Sequence, residues 1–150
     1  MSSKFCTLGE RKVKEPLLLG ISLRKKTQWR KCHIEKYEIL PRSTERYPSM
    51  SREIIHTIDY FGNQFLEKHY GKNLIHFGPN SEATGFFLIL NGQYDSKTIA
   101  NTLHQFYTFL SAVDIAGTDM TDFDLPGAQW VMMYYITMLE QTLRRHAAST

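Results

Sequence analysis

Cysteine is scarce in this chain, with two residues in 150, and no C-x-x-C pair exists. A disulfide framework is therefore excluded as the main source of stability, and a reducing compartment is the expected setting. The six histidines show no H-x-x-x-H spacing, and Cys32 and His33 would fall on opposite faces of an extended strand, so no zinc motif can be read. There is no G-x-S-x-G elbow, no Walker loop and no G-x-G-x-x-G; the glycines are scattered and mostly flank element boundaries. No apolar run approaches the ~18 residues needed to cross a bilayer. The opening Met1-Ser2-Ser3-Lys4-Phe5-Cys6 lacks the apolar core of a signal peptide, so a cytoplasmic or nuclear location is expected. No catalytic residue, metal or cofactor follows from these motifs.

What is present describes an ordinary globular chain: 42% hydrophobic, 13% aromatic and 22% charged residues, with mean hydropathy −0.35. One domain over 1–150 is expected, with 1–14 as a flexible basic arm. Charge is divided unevenly along it. Residues 1–42 hold 11 Lys+Arg against 4 Asp+Glu, whereas residues 43–150 hold 7 against 11. Within the basic part, Arg24, Lys25, Lys26, Trp29, Arg30 and Lys31 form a candidate surface for RNA or an acidic protein, drawn by long-range field and counterion release. A merely solvated hairpin tip is the alternative. The acidic pole, Asp114, Asp119, Asp122 and Asp124, lacks the alternate ligands and glycine of a calcium loop, and reads as a solvated connector with helix caps.

Periodicity predicts α+β architecture in the order β-β-α-β-β-α-α, a small antiparallel sheet covered by helices. Leu17, Leu19, Ile21 and Leu23 alternate as in a strand, Arg24 to Gln28 reads as a turn, and Trp29 to Leu40 as a second, bulged strand. Ser49 or Ser51 can cap a helix carrying Ile54, Ile58, Phe61 and Phe65, which Gly71 stops. Leu74–Phe77 and Phe86–Leu90 predict a second hairpin, and Asp95 or Ser96 caps a helix bearing Ile99, Leu103, Phe106, Leu110 and Val113. Asp124, Leu125 and Pro126 open the last helix. Its decade Trp130 to Leu139 holds nine apolar or aromatic residues in ten, which predicts burial all round. Either the helix is the centre of the core, or Trp130, Met133, Tyr134, Ile136 and Met138 form an oligomer or partner interface.

The stretch Leu90-Asn91-Gly92-Gln93-Tyr94-Asp95-Ser96-Lys97, followed by Ile99, Leu103, Phe106 and Phe109, resembles the strand, Asn-Gly turn and helix in the core of translation initiation factor 5 and the beta subunit of initiation factor 2. Residues 51–85 are compatible in order, so the resemblance spans about residues 51–113. It implies a module working among ribosomal RNA, initiator tRNA and other factors. The family's zinc ribbon is missing, because Phe109 to Val113 leads into the Asp-rich loop without a cysteine, and no functional residue carries over. The expected function is therefore a non-enzymatic protein that oligomerises and engages RNA or an acidic partner through its basic segment. The alternatives are a structural subunit such as a viral matrix or assembly component, and a small enzyme with a composite site near His69, His76 and Tyr94.

Overall fold

Short segments rich in β-branched and aromatic residues pair antiparallel to make the centre of the molecule. The computed structural model describes residues 11–12, 16–18, 21–39, 50–114 and 121–149. In chain order these form β1 (Arg11–Lys12), β2 (Pro16–Leu18), β3 (Ile21–Trp29), β4 (Cys32–Ile39), α1 (Arg52–Tyr70), a 3-10 turn (Gly71–Asn73), β5 (Leu74–Pro79), β6 (Phe86–Asn91), α2 (Ser96–Ser111) and α3 (Leu125–Ser149). The four principal strands lie in the order β3-β4-β6-β5, and β1 and β2 pair with the outer edge of β3. The α+β class and the order of the main elements are those the periodicity predicts. Of the expected basic arm, Arg11 and Lys12 are held in a strand opposite Lys26 and Lys25, and the rest lies outside the described residues.

The first hairpin turns later than the polar run suggests. Lys25, Lys26, Thr27 and Gln28 continue β3, paired with Lys36, Glu35, Ile34 and His33, and the chain reverses at Arg30–Lys31, where Arg30 takes φ 56°. Charge explains the extension, because β4 offers acceptors across the ladder: Lys26 Nζ lies 3.7 Å from Glu35, and Arg24 pairs with Glu38. The bulge falls on β3 at Arg24, with Leu23 opposite Tyr37 and Lys25 opposite Lys36, rather than on β4.

The helices begin where capping chemistry places them. The Ser51 side chain accepts from Ile54 N–H at 3.2 Å, Asp95 from Thr98 N–H at 2.7 Å and Asp124 from Gly127 N–H at 2.9 Å. Gly71, at φ 60°, ends α1 in a conformation that a side chain would strain. Ile58, Phe61 and Leu66 of α1 and Ile99, Leu103, Phe106 and Leu110 of α2 pack into one core with Ile21, Tyr37, Ile39, Phe77, Phe86, Leu88 and Leu90 from the sheet.

Within the chain α3 is buried on one side only, so it is not the centre of the core. Leu125, Ala128, Met132, Tyr135 and Leu139 are buried, at alternating spacings of three and four, with Ile136 beside them, while Trp130, Met133 and Tyr134 on the other side are 60%, 44% and 43% exposed. Composition hid a one-sided stripe, because the outward face is also apolar. Among the described residues, no helix is long and apolar enough to cross a membrane.

The contact that positions the candidate site is between α1 and β5. Gly62 is buried in α1, and a Cβ built there would stand 2.5 Å from Phe77 Cε2. Phe77 cannot swing away, since its ring stacks on Phe86 at 5.2 Å and only 4% of the residue is exposed. Overpacking in Gly62→Ala should therefore cost up to about 3 kcal/mol, offset by the ~1 kcal/mol that alanine ordinarily gains over glycine within a helix, leaving the fold less stable by up to about 2 kcal/mol. Urea unfolding measures this, with Phe77→Leu as the rescuing second change; a Gly62→Ala protein as stable as the parent would refute the close contact.

Candidate active site

The apolar stripe of α1 faces the core, and a second stripe of different chemistry runs beside it. His56, Asp59, Tyr60 and Asn63 recur at i, i+3, i+4 and i+7, the spacing that puts side chains on one helical face. Against them β5 brings His76, and the segment before α3 brings Phe123. The latter is anchored because the Asp124 N–H donates to Thr57 Oγ1 at 2.8 Å, a buried hydroxyl that itself donates to the Glu53 carbonyl at 2.6 Å. Phe123 packs edge-on against His56, with centroids 4.7 Å apart, and lies 5.2 Å from the Tyr60 ring and 5.9 Å from Phe61. An aromatic wall thus stands beside the His56 imidazole.

Asp59 is the electrostatic centre of this group. Partial burial pushes its carboxyl above the ordinary aspartate value, against the opposing pull of the His56 and His76 imidazoles and the Asn63 amide. Asn63 Nδ2 lies 2.8 Å from Asp59 Oδ1, 2.8 Å from the Asp59 carbonyl and 3.1 Å from the Phe77 carbonyl. A carboxylate that is held, half-desolvated and flanked by exposed imidazoles can take a proton and hand one on.

The register His56-Thr57-Ile58-Asp59-Tyr60 approaches the H-x-x-E-H pattern of some zinc helices, but a phenol stands in the fifth position and the carboxylate arm is one carbon shorter. Among the described residues, no group of three or more His, Cys, Asp or Glu side chains is arranged to hold a metal ion. Two concavities lie elsewhere. A groove of about 540 Å³ between α2 and α3 is lined by Lys97, Asn101, His104 and Glu140, and a cleft of about 280 Å³ by Arg24, Glu38, Asn80, Glu82 and Phe87. Neither gathers a flanked carboxylate of the Asp59 kind, and in the first His104 already faces Glu140 at 3.4 Å.

The residues singled out by sequence fall in different places. Arg24, Lys25 and Lys26 lie on β3, Trp29 closes that strand opposite Cys32, and Arg30 and Lys31 make its turn. The charges are partly answered within the fold. Arg24 meets Glu38, and Lys26 meets Glu35, a carboxylate only 4% exposed that also accepts from the Tyr37 hydroxyl and, at 3.3 Å, from the Tyr94 N–H. Burial and that carboxylate push the Tyr37 phenol well above its ordinary range. The composite of His69, His76 and Tyr94 is not one site. His69 and Tyr94 both pack on Tyr70, at 4.7 and 5.4 Å, whereas His76 acts on Asp59, ten residues or about 15 Å back along α1. His56, Asp59 and Asn63 went unread because their signal is a polar stripe at 3–4 spacing, and its partner His76 arrives only through the turn into β5. Trp130, Met133 and Tyr134 are on the outer face of α3, Ile136 is in its core stripe and Met138 is half-buried. Asp114 and Asp122 are exposed, Asp124 caps α3, and Asp119 lies outside the described residues.

The profile of the S-ribosylhomocysteinase (LuxS) family matches residues 7–143. The chain belongs to this family. It is 32% identical over 111 residues to the S-ribosylhomocysteine lyase of Clostridium acetobutylicum, covering 73% of this chain and 65% of that protein. With the lyase of Clostridium beijerinckii the identity is 30% over 110 residues, covering 71% and 69%, and with that of Phocaeicola vulgatus 23% over 130 residues, covering 80% and 81%. The match thus spans a little under two thirds of the Clostridium acetobutylicum protein.

Membership overturns the likeness to the initiation factors: strand, Asn-Gly turn and capped helix are all present at β6 and α2, but as a generic solution to reversing a chain. It equally overturns the reading as a non-enzymatic RNA-binding or assembly protein, since the relatives are named as enzymes, and the relatives lend no support to a nuclear location. The small-enzyme alternative fits better.

Linkage gives this site a signature. A carboxyl whose folded pKa is raised binds its proton more tightly in the native state, so stability falls as pH rises from the unfolded aspartate value, about 3.9, through the higher folded value. Thermal melts from about pH 4 to pH 7 should show Asp59→Asn losing less stability than the wild type across that window. Parallel curves would show that the carboxyl is not desolvated.

Proposed function

We propose that this LuxS family member is an enzyme acting on an S-ribosylhomocysteine-type substrate, a sugar joined to an amino acid through a thioether, with Asp59 as its acid–base group. The observation that carries the reading is the half-buried Asp59 carboxyl between two exposed imidazoles, in a chain whose relatives bear the name of that lyase. Releasing a thiol from a sugar by elimination requires a base to take a carbon-bound proton and an acid to protonate the departing sulfur. Asp59 supplies the first, helped by a raised affinity for the proton, and His56 or His76 the second. The Tyr60 and Phe123 rings offer a flat wall for the C–H face of the sugar. The scarcity of cysteine favours work in the cytoplasm.

Purified protein incubated with S-ribosylhomocysteine should liberate free thiol, read with a chromogenic disulfide. Asp59→Asn should slow release by about 10²–10⁴, the usual contribution of a positioned acid or base, while melting at neutral pH stays level or rises slightly. Absence of thiol release from the wild type overturns the proposal, as does an undiminished rate in Asp59→Asn.

A second reading concerns self-association through the outer face of α3. Trp130 and Tyr134 stack at 5.9 Å beside Met133, leaving an aromatic strip in water. Native mass should show an oligomer that Trp130→Glu together with Met133→Glu converts to monomer; a wild-type monomer at tens of micromolar would remove the reading.

A further inference from the structure

The Asn63 side chain carries two N–H donors and one carbonyl acceptor, and its neighbours decide which end of the amide faces them. Three acceptors surround Nδ2: the Asp59 carbonyl, the Phe77 carbonyl and Asp59 Oδ1. Two of these are backbone carbonyls, one on α1 and one on β5, and can never donate. Turning the amide over would set its oxygen against both, leaving it unpaired beside two like dipoles. The amide is therefore locked in one orientation, and it meets the carboxylate only as a donor.

We propose that Asn63 is the positioning residue of this site: an amide clamped by two backbone carbonyls so that it presents only N–H groups to Asp59, fixing Oδ1 and leaving Oδ2 to take the substrate proton. The inference rests on the reading of Asp59 as the acid–base group. Its chemistry follows from the lock. A donor that cannot become an acceptor stabilises the ionised carboxylate and not the carboxylic acid, so it opposes the effect of burial. The titratable groups that face Asp59 are His56 from its own helix and His76 from β5, and both favour the ionised form as well. Imidazoles do so only while protonated, whereas the amide does so at every pH. Asn63 thus favours the ionised base independently of the imidazoles.

The same amide joins α1 to β5 at the level of Asp59, one residue from Gly62, against which the Phe77 ring packs. The clamp is consequently built into the fold and not borrowed from a mobile loop, which is what a base needs to hold its geometry through a reaction.

Two measurements test this. In the wild type, the Asn63 side-chain NH₂ resonances should titrate with the midpoint of the Asp59 carboxyl carbon, and Asp59→Asn should abolish that titration. In Asn63→Ser, the shorter hydroxyl can still bond back to the Asp59 carbonyl and hold the helix, but the carboxylate loses its donor. The Asp59 carbon should then titrate at higher pH, and the acid limb of the thiol-release profile should move up with it, with kcat lowered and KM little changed. Unshifted midpoints in folded Asn63→Ser, or NH₂ resonances indifferent to Asp59 in the wild type, would overturn the proposal. The wild-type measurement decides even where the variant fails to fold. Neither resonance requires substrate, so a protein that releases no thiol refutes the activity while leaving the role of Asn63 to be read separately.

Discussion

The close approach of α1 to β5 is the constraint on which the functional part of the molecule depends. A helix normally stands off a strand by the depth of its side chains, and at Gly62 there is no side chain, so the Phe77 ring occupies that space. Because the backbones are that near, a short asparagine arm can span from α1 to the Phe77 carbonyl, and an imidazole two strand positions from the Gly78 backbone can act on an aspartate of the helix. Phe77 is fixed in turn by its stack on Phe86 at 7° between planes, a contact across the β5–β6 hairpin. Local chemistry at Asp59 is thus the downstream end of a packing decision made in the core.

A second buried carboxylate shows how the fold treats a charge that does no chemistry. Glu35 points into the sheet's covered face and is almost completely enclosed, a position that would cost several kcal/mol for an unpaired ion. It is met by Lys26 across the ladder, by the Tyr37 hydroxyl on its own strand and by the Tyr94 N–H from the loop before α2. The Tyr37 hydroxyl also lies 3.0 Å from the Tyr94 carbonyl. The loop from Gly92 to Asp95 is thereby tied to β4, and Gly92, at φ 141°, lets the Tyr94 ring fold over it. Every polar group in this cluster is satisfied, which makes it a clamp. At Asp59 the carboxyl has two exposed imidazoles beside it, and the balance of its protonation is left open.

Much of the fold was legible because it rests on rules that act locally. Ser51, Asp95 and Gly71 mark helix ends where capping and left-handed glycine place them, and the stripes of α1 and α2 report their buried faces by spacing alone. What was misread required knowledge of a neighbour. The run Arg24 to Gln28 looks like a turn until Glu35 and Glu38 are known to lie across from it. The decade Trp130 to Leu139 does not read as one-sided because apolar composition cannot distinguish the face covered by α1 and α2 from the one those helices leave uncovered. The candidate site was hidden for the same reason. Half of it, His56, Asp59 and Asn63, was written in the helical register of one segment, but the other half, His76 and Phe123, comes from β5 and from the lead into α3. The approach of β5 rests on Gly62, whose role no periodicity announces, and Phe123 is held through Thr57.

The division of labour proposed for Asp59 and its imidazoles follows from charge. An elimination needs one group to accept a proton while another nearby gives one up, so the two must hold opposite protonation states at the same pH. Side by side, a carboxylate and a charged imidazole attract, and the positive charge favours the ionised carboxylate. Burial works against that arrangement by penalising the carboxylate, and if it prevailed both groups would carry protons and no base would remain. The fold limits the penalty by leaving His56 and His76 exposed to water and only Asp59 partly enclosed. Desolvation is thus applied to the group whose proton affinity must rise for it to act as a base, and withheld from the groups that must remain free to exchange protons with solvent.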